Sequence, residues 1–165
     1  MRQAAEALAE VKALPGRGAR RRLKFGTGAI ELLDESYNAN PASVKAMLAV
    51  LARTEPAPGG RRLLAMGDMR ELGESADAYH AGLADAVAAS GATQVFLCGP
   101  HMQSLWQRLA AAQKGVHRSD SAALAGEVAA ALKAGDVIAI KGSLGSKMKN
   151  VVDAVVAASG GEAGR

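Results

Sequence analysis

The sequence predicts an α/β domain of three layers, with a mostly parallel sheet of about six strands and an antiparallel hairpin at one edge. Three features point there. Short apolar runs alternate with longer Ala- and Leu-rich stretches of helical spacing. Gly, Pro, Asn and Asp punctuate brief connections between them, as parallel crossover units require. Apolar residues make up 49% of the 165-residue chain but aromatics only 3%, so Ala, Val, Leu and Met must fill one sizeable core.

Residues 3–13 read as a short Ala-rich helix stopped by Pro15-Gly16. A lone helix running into Pro-Gly-Arg-Gly suits the tail of a preceding domain plus a hinge. Strands over 20–25 and 29–36 follow, joined by Gly26-Thr27-Gly28 as a hairpin turn. Helix 41–54 leads into a loop with Pro56, Pro58, Gly59 and Gly60. Strand 62–67, helix 74–90, strand 93–98 and helix 101–112 come next. A short strand near 115–118, helix 121–133, strand 136–141 and helix 145–158 complete the alternation. Residues 159–165, rich in Gly, are expected to form a disordered tail.

The net charge is +4 and the pI about 9.5. Basic residues cluster in Arg17–Lys24, but no aromatics interleave with them to stack bases, so a solvated basic face or an interdomain surface is expected rather than nucleic-acid binding. The single Cys98 excludes an internal disulfide and sits in an apolar strand, which suits a buried thiol in a reducing cytoplasm. No stretch approaches the ~20 apolar residues of a membrane span. No metal cluster and no Ser/His/Asp or Cys/His arrangement stands out.

In an open parallel sheet, ligands bind beyond the carboxyl ends of the strands. After strand 29–36 stands Asp34-Glu35-Ser36-Tyr37-Asn38-Ala39-Asn40-Pro41, whose hydrogen-bonding capacity exceeds what a turn needs, though a polar helix-capping turn accounts for part of it. After strand 62–67 comes Gly67-Asp68-Met69-Arg70-Glu71-Leu72-Gly73-Glu74. After strand 93–98 comes Gly99-Pro100-His101. After strand 136–141 comes Lys141-Gly142-Ser143-Leu144-Gly145-Ser146-Lys147, similar to an anion-cradling nest or a plain Ser-capped helix start, and not a Walker A loop. His80 reads as a packing or surface histidine, and His101 as a possible ligand contact at a helix start. These pieces imply a polar, partly cationic cleft at one end of a sheet without naming a reaction.

Four strings in order go further: Gly16-Arg17-Gly18, Leu33 to Ser43, Gly67 to Glu74, and Lys141-Gly142-Ser143. Together they resemble the C-terminal domain of a Mur ligase. The resemblance spans residues 3–157. Within the family, Tyr-Asn-Ala-Asn-Pro followed by Gly-Asp-Met resembles the branch that adds D-Ala-D-Ala to UDP-MurNAc-tripeptide in peptidoglycan synthesis. The resemblance implies a Rossmann-like module. Residues 1–14 would end a central ATPase-like domain and form the hinge, and 15–158 would be the C-terminal domain. It further implies ATP-dependent chemistry through an acyl phosphate. ATP and Mg²⁺ would be bound mainly by the central domain, no catalytic residue would lie in this one, and the fragment would be inactive alone.

By the same resemblance, Arg17 matches a hinge arginine that contacts nucleotide. Glu35 stands where most members carry a ribose-binding aspartate, one methylene shorter. Tyr37, Asn38 and Asn40 match the nucleotide-side cleft, the two asparagines also reaching toward acceptor. Asp68, Met69 and the rest of the 69–73 loop should face D-Ala-D-Ala, and Lys141, Gly142 and Ser143 should meet the dipeptide or nascent peptide carboxylate. The implied enzyme is cytoplasmic and monomeric, with neither nucleic acid nor membrane as partner. The alternatives are another Mur or folylpolyglutamate-type ligase domain and a non-catalytic nucleotide-binding module.

Overall fold

The computed structural model of the protein describes residues 16 and 18–163. The expected helix at 3–13 and the hinge residue Arg17 lie outside the described residues. Six strands form one sheet: β1 (Ala19–Phe25), β2 (Gly28–Glu35), β3 (Arg62–Gly67), β4 (Gln94–Cys98), β5 (Lys114–Arg118) and β6 (Val137–Lys141). Their order is β1-β2-β6-β3-β4-β5. Only β1 and β2 pair antiparallel, with Phe25 opposite Gly28 at the hairpin turn. The other four pairings are parallel. This is the α/β fold the sequence predicts.

Burial explains the order. All five residues of β6 are buried, and so are five of the six in β3. Strands with an apolar residue at every position satisfy both faces only in the middle of a sheet covered on each side. β1 alternates instead: Leu23 is buried while Arg20, Arg22 and Lys24 are exposed, placing its basic run at the solvent-facing edge.

One face carries α1 (Pro41–Arg53), α2 (Ala76–Ala81), α3 (Ala84–Ala89) and α4 (Met102–Arg108). Val44, Met47, Leu48, Val87 and Leu105 pack there on Leu33, Leu64, Met66, Val95, Leu97 and Ala139. The other face carries α5 (Ser121–Ala131) and α6 (Lys149–Ala158). Leu124, Val128, Val151 and Val155 pack there on Leu23, Ile30, Leu32, Phe96, Ile138 and Ile140. At the end of the sheet opposite the strand carboxyl termini, buried Asp136 accepts two bonds from the Arg61 guanidinium and one from the Arg61 amide. Arg61 also donates to the Ala131 carbonyl, which ties α5 to this end of the sheet.

Four expectations change. The helix expected over 145–158 begins only at Lys149, after a 3₁₀ turn at Leu144–Ser146 and the left-handed Lys147. The single helix over 74–90 is a 3₁₀ turn at Gly73–Ser75 and two short helices, interrupted at Gly82-Leu83 where low-propensity Gly lets buried Leu83 turn into the core. The helix expected over 101–112 stops at Arg108, because Leu109 turns extended and stays buried. Residues 160–163, expected as part of a disordered tail, run along β1. Lys24 donates to Gly161 (2.8 Å), Gly160 to Lys24 (2.9 Å) and Ala163 to Arg22 (2.8 Å).

Candidate functional site

The helices after β2, β3 and β4 pack on one face of the sheet, and those after β5 and β6 on the other. Neighbouring strands whose connections leave in opposite directions open a crevice at their carboxyl ends. The order β2-β6-β3-β4-β5 therefore opens crevices at β2/β6, β6/β3 and β4/β5. Two clefts fill these positions.

The first cleft, about 280 Å³, is lined by Gly16, Glu35, Asn38, Ser43 and Lys141. Parallel register sets Glu35 opposite Lys141. The Lys141 ammonium donates to the Asn38 carbonyl (2.9 Å) and lies 3.4 Å from Glu35 Oε2. Lys141 is 2% exposed, and that burial holds its ammonium below its usual range, with Glu35 pulling the other way. Lys141 was expected at the acceptor carboxylate. Here it joins the end of β6 to the loop after β2.

That loop is built by its own polar residues. Buried Asp34 accepts from the Ser36 amide at 3.0 Å, and Asn38 Oδ1 from the Ala39 amide at 2.8 Å. Asn40 caps α1: its Oδ1 accepts from the Ser43 amide (2.8 Å), while Ser43 Oγ accepts from the Asn40 amide (3.0 Å), with Pro41 opening the helix. Part of the polar capacity in Asp34–Pro41 is thus spent on the turn itself. Tyr37 is half-exposed beside this cleft.

The second cleft, about 370 Å³, spans the ends of β3, β4, β5 and β6. Arg70 and Lys147 bring cations to its wall, Asp120 and the buried Asp68 anions, and Ser119, Ser146 and Asn150 neutral polar groups. Arg70 lies over Gly145 and donates to its carbonyl at 3.3 Å. Lys147 sits in the left-handed region (φ 52), and its carbonyl accepts from Ser121 Oγ at 2.9 Å. Asn150 donates to that same hydroxyl at 3.1 Å. Asp120 caps α5, and the Ala123 amide lowers its carboxyl. Arg70 belongs to the 69–73 loop expected to face the acceptor, and Lys147 to the 141–147 string read as an anion nest or a Ser-capped helix start, whereas Asp120 and Asn150 were not picked from the sequence as site residues. Arg70, Lys147 and Asp120 lie on loops that only the sheet order brings together.

The remaining expected site residues have mostly structural contacts. Asp68 is buried, accepting from the Met102 amide (3.0 Å) with one carboxylate oxygen and lying 3.5 Å from the His101 amide with the other. Its carbonyl accepts from Ser143 Oγ at 2.7 Å, which closes the end of β3 against the end of β6. Met69, expected to face acceptor, has its side chain in the core at 1% exposure, so only its backbone borders a cleft. Gly142 is a packing requirement: a Cβ there would stand 2.3 Å from Ser146 Oγ and 2.4 Å from Met148 Cγ. The amides of Ser146 and Lys147 bond to Ser143 and Leu144 carbonyls, so they are not arrayed as an anion nest. His80 is a fully buried packing histidine, and His101 pairs with Asp77 (2.7 Å), whose carboxyl it lowers. Among the described residues no group of three or more His, Cys, Asp or Glu could hold a metal ion.

Comparison with known proteins bears on these clefts. The model of the Mur ligase, glutamate ligase domain, matches residues 20–144. The UDP-N-acetylmuramoyl-tripeptide–D-alanyl-D-alanine ligase of Escherichia coli (strain K12) is 35% identical over 153 residues, covering 90% of this chain and 31% of that protein. The ligase of the same name from Synechocystis is 33% identical, covering 86% of this chain and 30% of that protein. The MurF ligase of Thermotoga maritima, solved in complex with ADP, shares the fold with a TM-score of 0.74 at 24% identity, over 96% of this chain and 35% of its own. A MurF structure from Acinetobacter baumannii gives 0.78 at 18% identity, over 95% and 34%. The chain thus spans about a third of the proteins it matches. With that pattern matched over most of its length, the chain belongs to the Mur ligase family, in its glutamate ligase domain.

Proposed function

We propose that the chain is the C-terminal lid of an ATP-dependent ligase that joins D-Ala-D-Ala to UDP-MurNAc-tripeptide in the cytoplasm during peptidoglycan synthesis. The names of its E. coli and Synechocystis relatives support the reaction. The second cleft carries the proposal: its cations Arg70 and Lys147 and, beside the Asp68 carboxylate held by the start of α4, its second anion Asp120 suit a zwitterionic dipeptide. Arg70 and Lys147 would hold the dipeptide carboxylate, and Asp120 would attract its ammonium group.

The first cleft fits the ribose edge of a nucleotide. The half-buried Glu35 carboxylate can accept from two hydroxyls while Lys141 fixes its direction and the Asn38 loop beside it. Triphosphate binding would fall to another domain, since no Gly-rich Lys-Ser/Thr loop occurs in the chain. The nucleotide, when bound, supplies the phosphoryl group that makes the tripeptide carboxylate an acyl donor. This domain's part is to hold the acceptor amine against that carboxylate and to exclude water as it closes. Magnesium is assigned to the rest of the enzyme, because the described residues offer it no ligand group.

A chimera tests this reading. This chain would replace the matching C-terminal third of the E. coli ligase, and ligation would be followed with ATP, UDP-MurNAc-tripeptide and D-Ala-D-Ala. The chimera should ligate and the isolated chain should not. Ligation by the chain alone, or a folded chimera that prefers a single amino acid to the dipeptide, would overturn the proposal.

A further inference from the structure

The acceptor cleft depends on where Arg70 points, and Arg70 lies in a stretch without regular secondary structure, residues 68–72. Glu71 in that stretch has φ 65, a conformation that a side chain bearing Cβ adopts only under local constraint. Two anchors precede Arg70. The Asp68 carboxylate is fixed on the start of α4, and the Met69 side chain is in the core. The third anchor is a histidine eleven positions on. The Met69 amide donates to His80 Nε2 at 3.0 Å, and His80 Nδ1 lies 2.7 Å from the Ala76 carbonyl. An amide can only donate and a carbonyl can only accept, so the two bonds define a neutral ring with its proton on Nδ1. The ring is fully buried and stacks on His101 at 5.6 Å, while Asp77 holds His101 from the outside.

Resting on the acceptor-cleft reading above, we propose that His80 is a positioning residue: its Nε2 lone pair fixes the Met69 amide and so directs Arg70 toward the dipeptide carboxylate. The neighbouring charges do not replace it. Asp68 Oδ1 stands 4.0 Å from Nε2 and is already occupied by the Met102 amide.

Two substitutions separate this role from mere packing. In His80→Gln the side chain reaches far enough to keep an acceptor at the Nε2 position. In His80→Asn it can keep only the inner contact to Ala76. Amide hydrogen exchange on the chain and dipeptide KM in the chimera are the readouts. Losing one buried hydrogen bond should speed Met69 exchange roughly fivefold to tenfold in His80→Asn, with core amides such as Leu64 unmoved. Dipeptide KM should rise by a similar factor with kcat nearly unchanged, and His80→Gln should recover most of both.

Equal behaviour of the two variants, or a kcat loss without a KM change, would overturn the proposal. Should neither variant fold, the unsubstituted chain decides: a Met69 amide exchanging as fast as that of Glu71 contradicts the latch. If the chimera shows no dipeptide-dependent ligation, the functional reading fails, while Met69 protection still reports on His80.

Discussion

Glu35 and Lys141 are register partners across β2 and β6, 106 positions apart in sequence, with 3.4 Å between carboxylate and ammonium. A buried lysine costs desolvation energy that one partly exposed carboxylate does not fully return. The lowered ammonium therefore has a stability consequence. Both states are protonated well below the lowered folded value, and there the penalty is fully present. Between that value and the 10.5 of the unfolded chain, only the unfolded state binds the proton, so stability rises with pH. Urea unfolding as the pH is raised toward 10.5 should show the chain gaining on its Lys141→Met variant. A stability difference that stays flat with pH would contradict the burial.

Cys98 should be chemically silent. Burial pushes its thiol up to about 12, and the charges of Asp68 and Asp120 add to this. Its Sγ lies 3.5 Å from Met148 Sδ. Iodoacetamide at about pH 8 should leave the native chain unlabelled and label it fully in urea, as read by intact mass.

The Asn40 cap should matter more to folding than its place in the motif suggests. Asn40→Ala removes the acceptor for the Ser43 amide and is expected to cost about 1 kcal/mol in urea unfolding. Asn40→Asp keeps the acceptor, adds a favourable charge at the start of α1 and should unfold at a similar urea concentration.

Gly142→Ala tests the closeness of the loop after β6. The added methyl would meet Ser146 Oγ and Met148 Cγ inside van der Waals contact, so a loss of roughly 1–3 kcal/mol is expected. Gly142→Ala with Ser146→Gly removes one of the two clashes. In thermal melts it should regain part of the loss.

The fold was legible because its central strands are nearly continuous apolar runs and its hairpin alternates. Both patterns survive any packing. The Ala-rich stretch 74–90 misled because Ala favours helix everywhere, and nothing local announces that Leu83 will be drawn inward. The site divided in the same way. The Asn40-Pro41-x-Ser43 cap is local and readable. The contact of Lys141 with the Asn38 loop depends on strand register, and the meeting of Arg70 with Gly145 depends on sheet order, neither of which is written in any short segment.

The short run at 160–163 beside β1 has a consequence for how the molecule behaves among its neighbours. A strand at the rim of a sheet offers a ladder of open amides and carbonyls to any other chain in the same state. Here the amide and carbonyl of Lys24 and the carbonyl of Arg22 are already taken by residues 160–163. At the opposite rim, β5 is only five residues long and carries Lys114 and Arg118 at its ends. Both rims are thus poor templates for templated aggregation, a safeguard set by four residues at one end and by brevity at the other.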